Sequence, residues 1–579
     1  MAPLRLPLSD TSVSSILIDV VLFYTFFRVY QWLFKPLIFG TAFGHLPGPP
    51  SQSWVKGNLG QLFNAKGLPF HQELSDLYGG MVKVYGFFGD EQLYVSDARA
   101  MQSILMKDQD AFEETSVFVE TNKVIFGPGL VSTVGEQHKR QRKAVNPIFS
   151  TSQLRLLTPT FYDIAEKLGD VLDREVNIRS NGTGKSVLDM SEWMSRVALE
   201  SVGQTVLGYS FDPLDSPHNN PYTSAIKELI PTLFSLALVR QFAPFLVKLG
   251  PPSIRRKLVE WTPHKAVQKV KEMSDVMHET AQKILQEKRD LINVEGGLKP
   301  GSQAKDIISV LLRANANAKG DEQLTDTELT GQMTVLIFGA QDTTSSALSR
   351  ILHILSVHPE VQSRVQKEIR DALREKRERG GSEDTRLGYE EVTGLPWLDA
   401  VMKETLRLYP PVPFVRRTAV KDRVLQYSKS PIDDSEEHVS TITVPAGTTL
   451  FVSIAGANRL ESIWGPDAKE WKPERWLSEK SARQGVTNTR LPGIYSGMMS
   501  FLGGGRSCIG YKFAQVEMKI ILATLLSRFT FSSTDADIVW NLSQIISPSV
   551  RTSVPGESDD EVFEEKKGLP LIVKINEFA

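Results

Sequence analysis

Wherever its patterning is legible, this sequence predicts a mainly helical chain, and three stretches carry that expectation. The first opens at Thr325-Asp-Thr-Glu328, which has the Ser/Thr-x-x-Glu spacing of a capping box, and runs through Met333 and Phe338 to Leu355 before His358-Pro359. At about 1.5 Å per residue it would be 45–50 Å long, enough to cross a whole domain. The second begins at Tyr511, where apolar residues recur at helical spacing through Leu526. The third carries Lys403, Glu404 and Arg407 and is closed by Pro410-Pro411, which cannot continue a helix.

Composition excludes some partners. With 41% hydrophobic and 23% charged residues and a formal net charge of -2, the chain has no basic bias that would suggest a nucleic acid. No internal repeat or low-complexity linker divides it. The amino terminus is different in character. Within the stretch Thr11 to Phe27 it is nearly all apolar from Val13 on, interrupted by Asp19, and Arg28, Trp32 and Lys35 follow. The stretch is slightly short of the ~18–20 residues that span a bilayer. A single tilted span is expected, with the Arg28 and Lys35 flank and all that follows on the cytosolic side. A segment lying along the interface is the rival because of Asp19. The prolines of His45-Leu-Pro47-Gly-Pro49-Pro50 then stiffen the chain.

Within the first helix lies a run that structure alone would not choose. Gln341-Asp342-Thr343-Thr344-Ser345-Ser346 places six polar side chains in an otherwise apolar pattern, and each needs a partner or water. Either the hydroxyls bond back to their own helix, or the helix opens locally to hold water and relay protons.

The second helix is preceded by Phe501-Leu-Gly-Gly-Gly-Arg506-Ser-Cys508-Ile-Gly510, which contains the only cysteine of 579 residues. A thiol at a helix N-terminus feels the positive end of the dipole, which favours the metal-ligating thiolate. Bare backbone at Gly503 to Gly505 would let a flat ligand approach, and Arg506 offers a planar cation suited to a carboxylate. The spacing fits neither a phosphate loop nor a dinucleotide fingerprint.

Phe501, Gly504, Arg506, Cys508 and Gly510 match without exception the haem-binding loop of the cytochrome P-450 superfamily, Phe-x-x-Gly-x-Arg-x-Cys-x-Gly, which this chain therefore resembles. Other segments agree in the family's order. Gly339-Ala340-Gln341-Asp342-Thr343-Thr344 is similar to the oxygen-activating segment, with Ala340 where the second glycine is usual. The resemblance puts Thr343 on the position that hydrogen-bonds the activated oxygen and Asp342 on the acid that feeds it protons. Glu404, Arg407 and Arg475, the last within Pro473-Glu-Arg-Trp476, carry over as a buried scaffold triad, with Trp476 where Phe is commoner. Arg417, rather than Arg416, falls on a propionate ligand. His138 and Arg142 fall on a Trp-x-x-x-Arg segment, His138 replacing the tryptophan. Of the basic run around them, Lys139, Arg140 and Lys143 read as a solvated face.

The resemblance implies a fold that is mainly α with small β-sheets, as a single catalytic domain over residues 45–579 behind a membrane anchor at 1–44. It implies haem b with Cys508 as axial metal ligand, and insertion of one oxygen atom of O2 into a lipophilic substrate. It places the enzyme on the endoplasmic reticulum membrane. No flavin or NADPH module is visible, so electrons are expected from NADPH through a separate NADPH–cytochrome P-450 reductase. Phe118, Phe126, Phe338 and Phe414 are expected around an apolar pocket, and the segments from Phe234 and Phe242 are expected to dip into the bilayer. A haem-thiolate isomerase or dehydratase is the catalytic alternative, which Asp342-Thr343 disfavours. A non-catalytic haem-binding protein is the other.

Overall fold

The computed structural model describes residues 42–576, apart from residues 181, 212–213, 215–220, 295–305, 381–385, 429–438, 479–488 and 555–561. The apolar segment from Thr11 to Phe27 lies outside the described residues. Among the described residues no single helix is long and apolar enough to cross a membrane.

Helices dominate the architecture, and four of them position the site. They are α1 (Gly135–Val145), α2 (Asp326–Val357), α3 (Pro396–Leu408) and α4 (Tyr511–Arg528). α2 starts where the capping spacing predicts: Glu328 N–H donates to Thr325 Oγ1 at 3.3 Å, and Thr325 N–H donates to the Glu328 carboxylate at 3.0 Å. It runs 32 residues, about 48 Å. Leu329, Met333, Ile337, Leu348, Ile351 and Leu352 are all buried, so α2 passes through the core rather than along its surface. It packs along the helix Met190–Val202.

Strands are short and lie beside the helices. The largest sheet contains β1 (Met81–Tyr85), β2 (Glu91–Val95), β3 (Phe112–Glu114), β4 (Phe414–Ala419) and β5 (Thr449–Ser453), in the order β1-β2-β5-β4-β3. Only β2 and β5 pair in parallel; the other neighbours are antiparallel. In this register Glu114 of β3 stands opposite Arg417 of β4, which brings a carboxylate and a guanidinium to one face. Two three-stranded sheets and one two-stranded sheet make up the rest of the β-structure among the described residues. The proline-rich segment is more than a surface turn. Lys83 N–H of β1 donates to Pro47 O at 2.9 Å, and Phe43 and Leu46 are buried, so the segment is fastened to the sheet edge.

His71 is buried with both ring nitrogens paired. Its Nδ1 lies 3.0 Å from the Tyr94 hydroxyl and its Nε2 3.0 Å from Leu62 O. A neutral ring that donates from Nε2 and accepts at Nδ1 satisfies both. Burial pushes its pKa down to about 4 from 6.5. Because the folded value is the lower one, the contribution of the neutral ring is complete above pH 6.5 and is lost as pH falls from about 6.5 to about 4. Urea unfolding at pH 7.5 and 4.5 should therefore show acid destabilisation, with His71→Gln removing about 2 kcal/mol of it. An identical pH slope in the variant would contradict this.

Candidate functional site

The loop before α4 is built from backbone contacts. Cys508 N–H donates to Phe501 O at 2.9 Å, and Ser507 N–H donates to Gly504 O at 3.1 Å. Leu502 and Gly504 both have positive φ, 56° and 71°. A Cβ on Gly504 would lie 1.8 Å from Leu105 O, and one on Gly503 1.9 Å from Pro492 O. These two glycines thus serve close backbone packing, not the approach of a flat ligand that their bareness suggests. Gly505 N–H is held by Gln109 Oε1 at 2.8 Å. At Gly510, by contrast, an added Cβ would meet nothing nearer than the Phe149 ring at 3.9 Å.

Phe501, Arg506, Cys508 and Gly510 face a cavity of about 420 Å3. His138 and Arg142 from α1 and Thr343 from α2 share the same cavity. Seven of the ten site residues expected from sequence therefore meet in one enclosed space. Gly504 lies behind the wall, and Asp342 and Arg417 do not line it. Phe118, Phe338 and Phe414 line the cavity; Phe126 is buried behind Phe338, their ring centres 4.5 Å apart.

Electrostatics differ from expectation at the thiol. Cys508 is exposed, but its open side faces the cavity. Burial pushes the thiol pKa up, and the Gly510 N–H and Arg142 only partly oppose it. The helix end alone therefore does not make a thiolate here; a bound metal would. Around it, burial, aided by Arg506 and Arg142, pushes the His138 pKa down to about 4, so the ring is neutral and keeps one N–H to donate. Arg142 Nη2 donates to Ser507 Oγ at 3.1 Å. Arg506 donates to Glu113 at 2.7 Å and to Thr133 O at 2.9 Å. Arg417 is buried, pairs with Glu114 at 2.8 Å and donates to Arg416 O at 2.8 Å, while its Nη2 has no partner.

α2 is unbroken through the polar run, so the local opening that its sequence suggests is not seen. Thr343 Oγ1 donates back to Gly339 O at 2.8 Å. The neighbours reach other elements instead: Gln341 donates to Ser195 at 2.9 Å and Ser346 to Ile546 O at 2.5 Å. A Cβ on Gly339 would meet nothing within 4 Å, so the wall is open at this turn.

A family model described as cytochrome P-450 matches residues 47–554. The chain belongs to the cytochrome P-450 family. It is 42% identical over 511 residues to cytochrome P-450 monooxygenase 91 of the fungus Postia placenta, covering 88% of this chain and 91% of that protein. It is 37% identical over 526 residues to a ganoderic acid synthetase of Ganoderma lucidum, covering 90% and 94%. A monooxygenase of Hericium erinaceus is 33% identical over 519 residues, covering 87% and 91%. The protein is thus a cytochrome P-450 monooxygenase.

The scaffold triad of this P-450 is assembled as its sequence predicts. Arg407 holds Glu404 through two hydrogen bonds, 2.9 and 2.7 Å, and Arg475 approaches the same carboxylate at 3.4 Å. Trp476 Nε1 donates to Glu404 at 2.9 Å, a bond that phenylalanine could not make. Arg140 departs from the solvated face expected of it: it bonds the Glu328 carboxylate and donates to Asp321 O and Gln323 O at 3.1 and 3.0 Å. Lys139 and Lys143 are exposed, with side chains 69% and 76% accessible. Sequence reading missed Glu113, Glu114 and Gln109. They are ordinary polar residues in the chain, and only folding sets them against Arg506, Arg417 and Gly505.

Proposed function

We propose that this P-450 inserts one oxygen atom from O2 into a lipophilic substrate, by hydroxylation or epoxidation, with electrons from NADPH delivered by a separate reductase. The observation that carries this reading is that the sole cysteine shares one largely apolar cavity with Thr343. The groups present suit haem b. Val335, Phe338, Phe501, Ile509 and Phe513 offer apolar walls for a flat ring. Its acidic edge would be held by His138, Arg142 and Arg506, and by Arg417, which does not line the cavity but keeps a buried Nη2 without a partner. Cys508 would be the metal ligand, at a sulfur that faces the cavity. When bound, the haem supplies a redox-active iron made electron-rich by its thiolate.

The chain's own residues then do the rest. His138, being neutral, would donate its single N–H where the family's indole would. Thr343 would turn its Oγ1–H from Gly339 O into the cavity and present a proton there, and Asp342, one residue earlier on α2, would resupply it. The apolar walls would exclude water and orient the substrate. Attachment to the endoplasmic reticulum membrane, with residues 45–579 cytosolic behind a 1–44 anchor, is supported by a surface elsewhere. Glu228–Ser235 and Val239–Leu246 form a pair bent by 75°, and Val239, Phe242, Phe245 and Leu246 are exposed upon it.

Reconstitution of the holoenzyme with a reductase, followed by product analysis of a lipophilic library under labelled oxygen, tests the reading. Incorporation of one labelled atom is expected; conversion without label or without reductant would replace it with isomerase or dehydratase chemistry. With an accepted substrate, Thr343→Ala should lower product per NADPH consumed about tenfold or more while consumption continues. Unchanged coupling would remove Thr343 from the proton route.

A further inference from the structure

The cavity carries a second set of cations, separate from the group around Cys508. Arg240 and Gln241 come from the turn Val239–Phe242, and Arg416 comes from β4; all three line the cavity. Successive strand side chains alternate between faces, so Arg416 points away from the face on which Arg417 meets Glu114. Arg416 instead donates to Gln241 Oε1 at 2.9 Å and lies over the Phe63 ring at 5.1 Å. Gln241 is itself oriented by donating to Ala237 O at 2.8 Å.

Neither arginine has an acidic partner among the described residues. Arg240 makes one long bond, 3.4 Å to Leu233 O, and its buried Nε has none. Burial lowers the Arg240 guanidinium pKa to about 10, and burial together with Arg240, partly opposed by Glu114, lowers that of Arg416 to about 10. Both therefore stay charged at neutral pH. Glu114, the acid that acts on Arg416, pairs instead with Arg417 at 2.8 Å. Two like charges, desolvated and facing one enclosed space, are costly unless an anion completes them. His138 and Arg142 reach the cavity from α1, whereas Arg240 and Arg416 reach it from the turn Val239–Phe242 and from β4.

We propose that Arg240 and Arg416 form an anion subsite that binds the carboxylate of a lipophilic acid, whose apolar body lies along Phe414 and Phe338 towards Thr343. Guanidinium forks suit a carboxylate, and the aromatic and aliphatic wall between suits the rest of such a molecule. As a statement about substrate class this rests on the monooxygenase reading, whereas the binding preference does not need turnover.

The test is calorimetric titration of the full-length holoenzyme with decanoic acid and with 1-decanol, which differ only in the head group. The acid should bind at least tenfold more tightly. Arg240→Gln and Arg416→Gln should each abolish most of that preference, and Arg416→Lys should retain part of it. Equal binding of acid and alcohol, or a preference that survives both glutamine substitutions, overturns the proposal. The carbon monoxide spectrum of the same reduced samples separates the two readings and confirms that the variants fold. A thiolate-type band with no acid preference sinks the subsite alone. An acid preference without that band sinks the monooxygenase reading and leaves the subsite standing.

Discussion

Cys508→Ser will remove the long-wavelength carbon monoxide band of the reduced holoenzyme and drop product formation below detection. Serine keeps what residue 508 contributes to the loop, since that contribution is its backbone N–H bond to Phe501 O at 2.9 Å. The bracing at Gly503, Gly504 and Gly505 does not involve the side chain either. What changes is the donor: a hydroxyl oxygen replaces a sulfur whose thiolate is the soft, electron-releasing ligand required. Difference spectroscopy with a reconstituted turnover assay reads both consequences. A variant that keeps the band and the product would show that the sulfur does not hold the metal.

Glu404→Ala should be the most destabilising single change outside the cavity, costing about 3–5 kcal/mol. The carboxylate accepts from Arg407 Nε and Nη2, Arg475 Nε, Lys472 N and Trp476 Nε1. Its side chain and those of Arg407 and Arg475 are at most 2% accessible. Alanine leaves the Arg407 guanidinium buried with no neutralising partner, while Arg475 keeps Asp467 at 2.8 Å. Glu404→Gln keeps the shape and part of the hydrogen bonding and should fall between the two. Denaturant unfolding of the three proteins measures the series. A loss under about 1 kcal/mol for alanine would mean that the arginine-to-carbonyl bonds carry the cluster alone.

Much of this was legible in the chain because it is local. The cap of α2, its length and the glycine-rich loop before α4 depend on residues a few positions apart, and those rules act at short range. The triad was also legible, since a fixed motif marks each of its members. Arg240 and Gln241 were not, because nothing in Val-Arg-Gln-Phe distinguishes a cavity wall from a surface turn. The solvated reading of Arg140 failed for a related reason: α1 is polar nearly all round, and only packing against the start of α2 selects one arginine to pair with Glu328. The thiol was misjudged in sign. A helix end can be seen in sequence, but the depth at which it sits cannot, and at Cys508 burial outweighs the Gly510 N–H and Arg142.

One stretch of chain is fastened both to the loop that bears Cys508 and to the strand that bears Arg417. Leu105 O abuts Gly504, Gln109 holds Gly505, Glu113 pairs with Arg506, and Glu114 pairs with Arg417. Ten residues, 105 to 114, therefore act as a common gauge for the sulfur-bearing loop and the strand that carries Arg417. A shift of that stretch would move both together, so lengthening or shortening it by a single residue should misalign the two while leaving every cavity side chain unchanged.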